Sequence, residues 1–297
     1  MPSDASETVF EKIKAGVPWY IKIPAKILLS RVPIHYDSWR NVGLFRHGAM
    51  DRPDYVLEVV RAHLERVGWP ASLKPGFVAL ELGPGDSVAS AIIMKAFGAS
   101  RTYLVDTGDY ATHDMEVYGK QTSYLYANGV PNVSPPVETG FWDFLAGLNA
   151  RYLTNGLQSF RTIPDSSIDF IWSQAVLEHV RRSDFDTTIG EFRRILAPGG
   201  LCSHRVDLSD HLGGALNNLR FSERVWESDF MATSGFYTNR IRFSEMIKIF
   251  RERDFSVSVI NKDLWSRLPT SRAAMAGEYK SCAEEDLLVK GFDVLLS

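Results

Sequence analysis

The apolar positions of this chain fall into short runs separated by stretches with a longer period. Residues 77–82, 102–106 and 168–173 are short, mostly apolar runs, and residues 201–206 continue the series with Ser203, His204 and Arg205 among apolar neighbours. Runs of that length and density suit strands buried on both faces. A further strand near 151–154 is poorly marked. Between the strands the pattern turns helical. Val56, Val59, Val60, His63, Leu64 and Val67 share one face, with Asp51 and Pro53 at the start and Gly68 as a stop. On such a face His63 reads as a packed core histidine. Helices are also predicted over 87–97, ending at Gly98, and over 243–253. Residues 255–260 and 286–296 read as strands again. Alternating strand and helix imply an α/β fold, a doubly wound and mostly parallel sheet.

Three segments depart from this rhythm. Residues 1–72 form an N-terminal helical arm broken by Pro18, Pro24 and Pro33, ahead of a main domain over 73–297. The stretch from about 107 to 150 is longer than an ordinary connection, so extra helix or loop is expected near the active-site rim. Residues 207–240, with Gly213, Gly214, Asn217, Asn218, Trp226 and Phe230, read as a cap inserted after the fifth strand.

The first strand runs into Glu81-Leu82-Gly83-Pro84-Gly85-Asp86. Its glycines let backbone approach a ligand closely, and the next helix turns its N-terminus to the same place. Asp106 ends the second strand, 21 residues after Gly85. An acid there is placed to accept hydrogen bonds from ribose hydroxyls. The third glycine of a dinucleotide fingerprint is missing, its position being Val88. Downstream, Ile163-Pro164-Asp165 leads through a strand to Leu177-Glu178-His179-Val180, and Arg194-Ile195-Leu196-Ala197-Pro198-Gly199-Gly200 follows. In order and spacing, this series over residues 75–205 resembles the class I S-adenosylmethionine (SAM)-dependent methyltransferases. The resemblance implies a Rossmann-like sheet with an antiparallel C-terminal edge strand, and SAM as cofactor. It implies that Glu81, Gly83, Pro84, Gly85, Asp106, Ser173 and Gln174 meet that cofactor. Family members often hold the adenine amine with an acid after strand three. None occurs here between Asp143 and Asp165, so Gln158, Ser159 or a backbone carbonyl is expected instead.

Methyl transfer needs alignment more than covalent help, and a hydroxyl acceptor also needs a base. His179, just after strand four, is the first candidate. Ser203-His204-Arg205-Val206-Asp207-Leu208-Ser209-Asp210-His211 supplies His204 and His211 as others. Asp207 is expected to hold the second nitrogen of His179. These residue types also suit a divalent metal, but their spacing fits no metal motif, so none is assigned. Arg46 and His47 before the core, and Tyr237, Asn239 and Arg240 after the cap, are candidates for acceptor binding.

Composition narrows the reading. The 297 residues are 45% hydrophobic and 23% charged, with net charge −3. A mildly acidic chain lacks the basic footprint of a nucleic-acid binder. Cys202 and Cys282 make neither a disulfide framework nor a zinc site, which fits a cytoplasmic protein. The start is polar and acidic, unlike a signal peptide, and no run of about 18 apolar residues suggests a membrane span. Residues 12–36 carry Lys12, Lys14, Lys22, Lys26 and Arg31 with no acid, among Trp19, Tyr20 and several aliphatics. Such a segment is compatible with weak contact to an anionic membrane surface, or with a helix that packs on the domain. The expected activity is methyl transfer from SAM to a small-molecule acceptor, a hydroxyl of a sugar, glycan-type compound or secondary metabolite. The alternatives are an N- or C-methyltransferase of a natural-product pathway, and a SAM-binding protein without turnover.

Overall fold

Among the described residues, seven strands form one sheet in the order β3-β2-β1-β4-β5-β7-β6. They are β1 (Val78–Leu82), β2 (Arg101–Val105), β3 (Ala150–Leu153), β4 (Ile168–Gln174), β5 (Leu196–Asp207), β6 (Val257–Leu264) and β7 (Val289–Leu296). The computed structural model describes residues 18–30, 49–133 and 140–297. Strands β1 to β5 pair in parallel, and β7 enters antiparallel between β5 and β6. This is the doubly wound sheet with an antiparallel C-terminal edge expected from the sequence. Strand β5 begins at Leu196 and not at residue 201. The Pro198-Gly199-Gly200 segment is carried inside it as an irregularity, and the register passes from Ile168 opposite Leu196 to Phe170 opposite Leu201.

Because side chains alternate across a strand, each face collects its own apolar layer. Ala79, Leu104, Phe170 and Trp172 pack under α2 (Pro53–Arg66), α3 (Ala89–Ala96), α4 (Met115–Ala127) and α5 (Phe141–Gly147). Leu80, Leu82, Ile171, Cys202 and Val206 pack under α6 (Arg182–Ile195) and a later helix, Phe243–Glu252. Val56, Val60 and Leu64 of α2, within the expected arm, lie in the cluster that holds Ala79. His63 is a core histidine, as its position on the apolar face suggests. It also bridges two strands, with Nδ1 2.8 Å from Ser203 Oγ and Nε2 3.1 Å from Gln174 Oε1. Burial pushes its pKa down to about 3, so the ring is neutral. The long stretch after β2 contains α4 and α5. Helix α4 is tied inward, its Gln121 donating to the Asp51 carbonyl at 2.8 Å.

The segment after β5 forms a cap with its own small core of Leu212, Trp226, Met231, Phe236 and Tyr237. Short helices α7 (Glu223–Trp226) and α8 (Asp229–Ala232) frame it, and helix Phe243–Glu252 is α9. Trp19, Ile23 and Ile27 of α1 (Trp19–Ser30) recur at helical spacing and pack on that core. Arg220 lies 5.0 Å over the Trp19 ring. Tyr20 and Ile21 of the same helix are exposed. The remainder of the basic segment, residues 12–17 and 31–36, lies outside the described residues. No helix among the described residues is long and apolar enough to cross a membrane.

Candidate active site

The turn after β1 is built on two glycines in the left-handed region, Gly83 with φ +73° and Gly85 with φ +64°. Gly83 N–H donates to the Val105 carbonyl at 2.8 Å, which ties the turn to β2. A Cβ on Gly83 would lie 2.5 Å from Val176 Cγ2, so only glycine lets the loop after β4 rest on this turn. Pro84 is buried behind it. Asp106 faces the same turn: Oδ2 accepts from Gly85 N–H at 3.1 Å and Oδ1 from Thr107 N–H at 2.7 Å. The Asp106 carbonyl accepts from Gly156 N–H at 2.8 Å, which brings the 3₁₀ turn Gly156–Thr162 beside it.

Several residues assigned to the cofactor point elsewhere. Glu81 is 2% exposed and accepts a hydrogen bond from Ser90 Oγ of α3. Burial pushes its carboxyl up to about 8, against the Ser90 bond and helped by the negative charge of Asp106. It is a neutral acid that ties β1 to α3, not a group presented to a ligand. Ser159 is buried and its Oγ accepts from Asn155 N–H at 3.1 Å, whereas Gln158 is exposed. Ser173 is fully buried, with Oγ 2.7 Å from His204 Nδ1. Gln174 is half-buried at the strand end, its carbonyl oxygen taken by His63.

The loop after β4 starts at Ala175, whose φ of +53° turns the chain sharply. It carries His179, which is exposed. His179 Nδ1 lies 2.8 Å from the Tyr237 carbonyl oxygen. A carbonyl only accepts, so Nδ1 is protonated, and in the neutral form of the ring Nε2 is the unprotonated nitrogen. His211 meets the same ring edge-on, with centroids 4.7 Å apart. The loop after β4 and the segment after β5 thus meet at these two rings. The partner of His179 differs from expectation, however. Asp207 Oδ1 accepts from Ser209 N–H at 2.9 Å and Ser209 Oγ at 2.7 Å, and a main-chain carbonyl holds the imidazole in its place.

His204 is also corrected. It shares a strand face with Cys202 and Val206 and lies wholly inside the α6 layer, stacked on Phe192 at 5.5 Å. Burial pushes its pKa down to about 3. Such a ring is a neutral core group and not an accessible base. Glu178, next to His179, is buried and accepts from Asp207 N–H at 3.3 Å. Burial lifts its carboxyl well above the ordinary range.

The post-cap candidates for acceptor binding are interior residues. Tyr237 Oη donates to Glu227 Oε2 at 2.7 Å and accepts from Arg182 N–H at 3.2 Å. Arg240 is 3% exposed, lies 5.4 Å over Trp226 and 5.2 Å over Tyr279, and donates to the Phe221 carbonyl at 2.7 Å. Asn239 is fully buried against the loop that bears His179. Arg46 and His47 lie outside the described residues. Among the described residues no cluster of three or more His, Cys, Asp or Glu is arranged to hold a metal.

A family model described as a methyltransferase domain matches residues 136–203. That span runs through β3, β4 and α6 into β5, the segment with the His179 loop and the Pro-Gly-Gly element. Over this span the chain is similar to a methyltransferase domain. No curated protein matches the sequence significantly. Among solved structures, a Haloferax volcanii methyltransferase in complex with the Trm112 methyltransferase activator is 15% identical, with TM-score 0.45 over 89% of this chain and 98% of that one. Phosphoethanolamine N-methyltransferase 2 of Haemonchus contortus, solved with SAM, is 12% identical, with TM-score 0.45 over 89% of this chain and 59% of that one. An arsenic(III) SAM methyltransferase of Chlamydomonas reinhardtii is 16% identical, with TM-score 0.41 over 80% of this chain and 71% of that one.

The turn after β1 could hold SAM on structural grounds. Each Asp106 carboxylate oxygen can accept more than the one backbone hydrogen bond described, so ribose hydroxyls can join Gly85 and Thr107 there. The left-handed glycines keep Cβ atoms out of the space between the turn and Val176.

Proposed function

We propose that this methyltransferase acts on a hydroxyl of a small-molecule acceptor, with a sugar, glycan-type compound or secondary metabolite as the favoured class. The observation that carries the hydroxyl reading is His179. It is exposed at the carboxyl end of β4, and its Nδ1 proton is committed to the Tyr237 carbonyl. The saccharide class rests on a loose resemblance of the chain to methyltransferases of bacterial saccharide and secondary-metabolite pathways.

Bound SAM supplies a methyl already activated on a sulfonium. The protein has then to hold, orient and deprotonate. Gly83, Pro84 and Gly85 hold the methionine end, Asp106 the ribose, and Gln158 lies on the turn beside Asp106 where the adenine edge is expected. In sheets of this kind ligands bind at the carboxyl ends of the strands, where the β4 and β5 loops meet. His179 Nε2 takes the acceptor's proton there, with His211 against its ring. The cap, on whose core α1 packs, excludes water from the transfer.

A panel of hexoses, nucleotide sugars, phenols and primary amines, incubated with SAM and scored for S-adenosylhomocysteine, tests the reading. Turnover on hydroxyl acceptors that fails in His179→Ala supports it. Turnover confined to amines and indifferent to that substitution favours an N-methyltransferase, because a neutral amine needs no base. SAM binding without product on any acceptor favours a protein that has lost the chemistry.

A further inference from the structure

Residues 237–241 hold the His179 loop at four points. Asn239 is 0% exposed, and its carboxamide nitrogen donates to the Leu177 carbonyl at 2.8 Å and the Val180 carbonyl at 2.9 Å. Its side-chain oxygen accepts from Ile241 N–H at 3.0 Å, and its own N–H donates to the Glu178 carbonyl at 2.7 Å. Both amide protons and the amide oxygen are thus used. Leu177, Glu178 and Val180 are the residues that flank His179, so the carboxamide fixes the loop on either side of the imidazole. Two residues before Asn239, the Tyr237 carbonyl takes the His179 Nδ1 proton.

The segment is itself anchored. Tyr237 is bound to Glu227 and Arg182, and the left-handed Arg240, with φ +59°, is clamped between Trp226 and Tyr279. The loop can therefore neither slide along the segment nor turn its ring without breaking buried hydrogen bonds, which are costly to leave unmade.

We infer that Asn239 is a positioning residue that fixes the His179 tautomer, with the proton on Nδ1 and the lone pair on Nε2. It acts through the loop and touches neither cofactor nor acceptor. This rests on the reading of His179 as the base, but its primary readout is independent of turnover. The full chain, labelled with ¹⁵N in its histidine rings, shows the tautomer of each of the 7 histidines by NMR. His179→Gln identifies the His179 signals. At a pH where the ring is neutral, wild-type His179 should show a protonated Nδ1 and an unprotonated Nε2.

Asn239→Asp keeps the shape but replaces two donors with a charge that faces two carbonyls. It should mix the tautomers and lower turnover on the best hydroxyl acceptor of the panel by about tenfold or more, below the ~10²–10⁴-fold cost of losing a base outright. SAM affinity should stay within about twofold. If Asn239→Asp does not fold, the wild-type tautomer decides alone. A wild-type ring protonated on Nε2, or an Asn239→Asp protein with wild-type tautomer and turnover, overturns the inference. An Nδ1-protonated ring, with turnover untouched in His179→Ala, overturns the base reading and leaves the positioning role standing.

Discussion

Gly83 carries two separate demands, and a double-mutant cycle separates them. At φ +73° a residue with a Cβ is strained by about 1–2 kcal/mol. A Cβ there would also lie 2.5 Å from Val176 Cγ2 and 2.7 Å from Cγ1, an overlap that forces the loop after β4 to shift. Overpacking of this kind costs about 1–3 kcal/mol. Gly83→Ala should therefore destabilise the protein by about 2–5 kcal/mol, within the ~5–15 kcal/mol typical of a folded domain. Val176→Ala removes both offending methyls and leaves only its Cβ, 3.2 Å away. In the double variant the overlap is relieved and the backbone strain stays, so the two substitutions should couple by about 1–3 kcal/mol in the favourable direction. Urea unfolding of the four proteins measures the cycle. Additivity within about 0.5 kcal/mol would show that the turn and the His179 loop do not press on each other.

Glu81 predicts a pH dependence. Its carboxyl stays protonated in the folded chain up to about 8, whereas an ordinary glutamate loses its proton near 4.5. The folded state then binds more protons between those values, so stability falls as pH rises from 4.5 to 8 and levels off above. The full span is ~5 kcal/mol at ~1.4 kcal/mol per pH unit. Glu81→Gln should gain on wild type across that window, and a constant difference in chemical denaturation from pH 5 to 8 would remove the argument. His179→Ala should lower turnover on a hydroxyl acceptor by ~10²–10⁴ with SAM affinity nearly kept; turnover within a few-fold of wild type would shift the base to His211. Residues 207–240 should exchange amide hydrogens more slowly with acceptor bound than without it, and equal protection would count against a cap that closes.

The sheet and the glycine turn after β1 were legible because their signals are local. An apolar run, a glycine turn and an acid at the end of the next strand each follow from adjacent residues. The position of His204 depended on strand parity instead. Counted in twos from Cys202, it falls on the α6 face with Val206, and sequence density at a strand end does not reveal that. Asp207 and His179 do sit at neighbouring strand ends, but the Ser209 turn takes the carboxylate. The group that replaces it, the Tyr237 carbonyl, is main chain and has no signature in side-chain types. Arg240 read as a ligand-binding cation because its burial is supplied by Trp226 and Tyr279, the latter far along the chain. Asn239 was singled out for the acceptor, but its partners are all backbone atoms around His179 and Ile241.

Calorimetric titration of SAM into wild type and Asp106→Ala tests the central claim most directly. Ribose hydrogen bonds to a carboxylate contribute on the order of 1.5–3 kcal/mol each. Wild type should bind SAM, and Asp106→Ala should bind it more than tenfold more weakly while unfolding at a similar denaturant concentration. Equal affinity in the two proteins, or no binding by wild type, would contradict the assignment of this turn as the cofactor site.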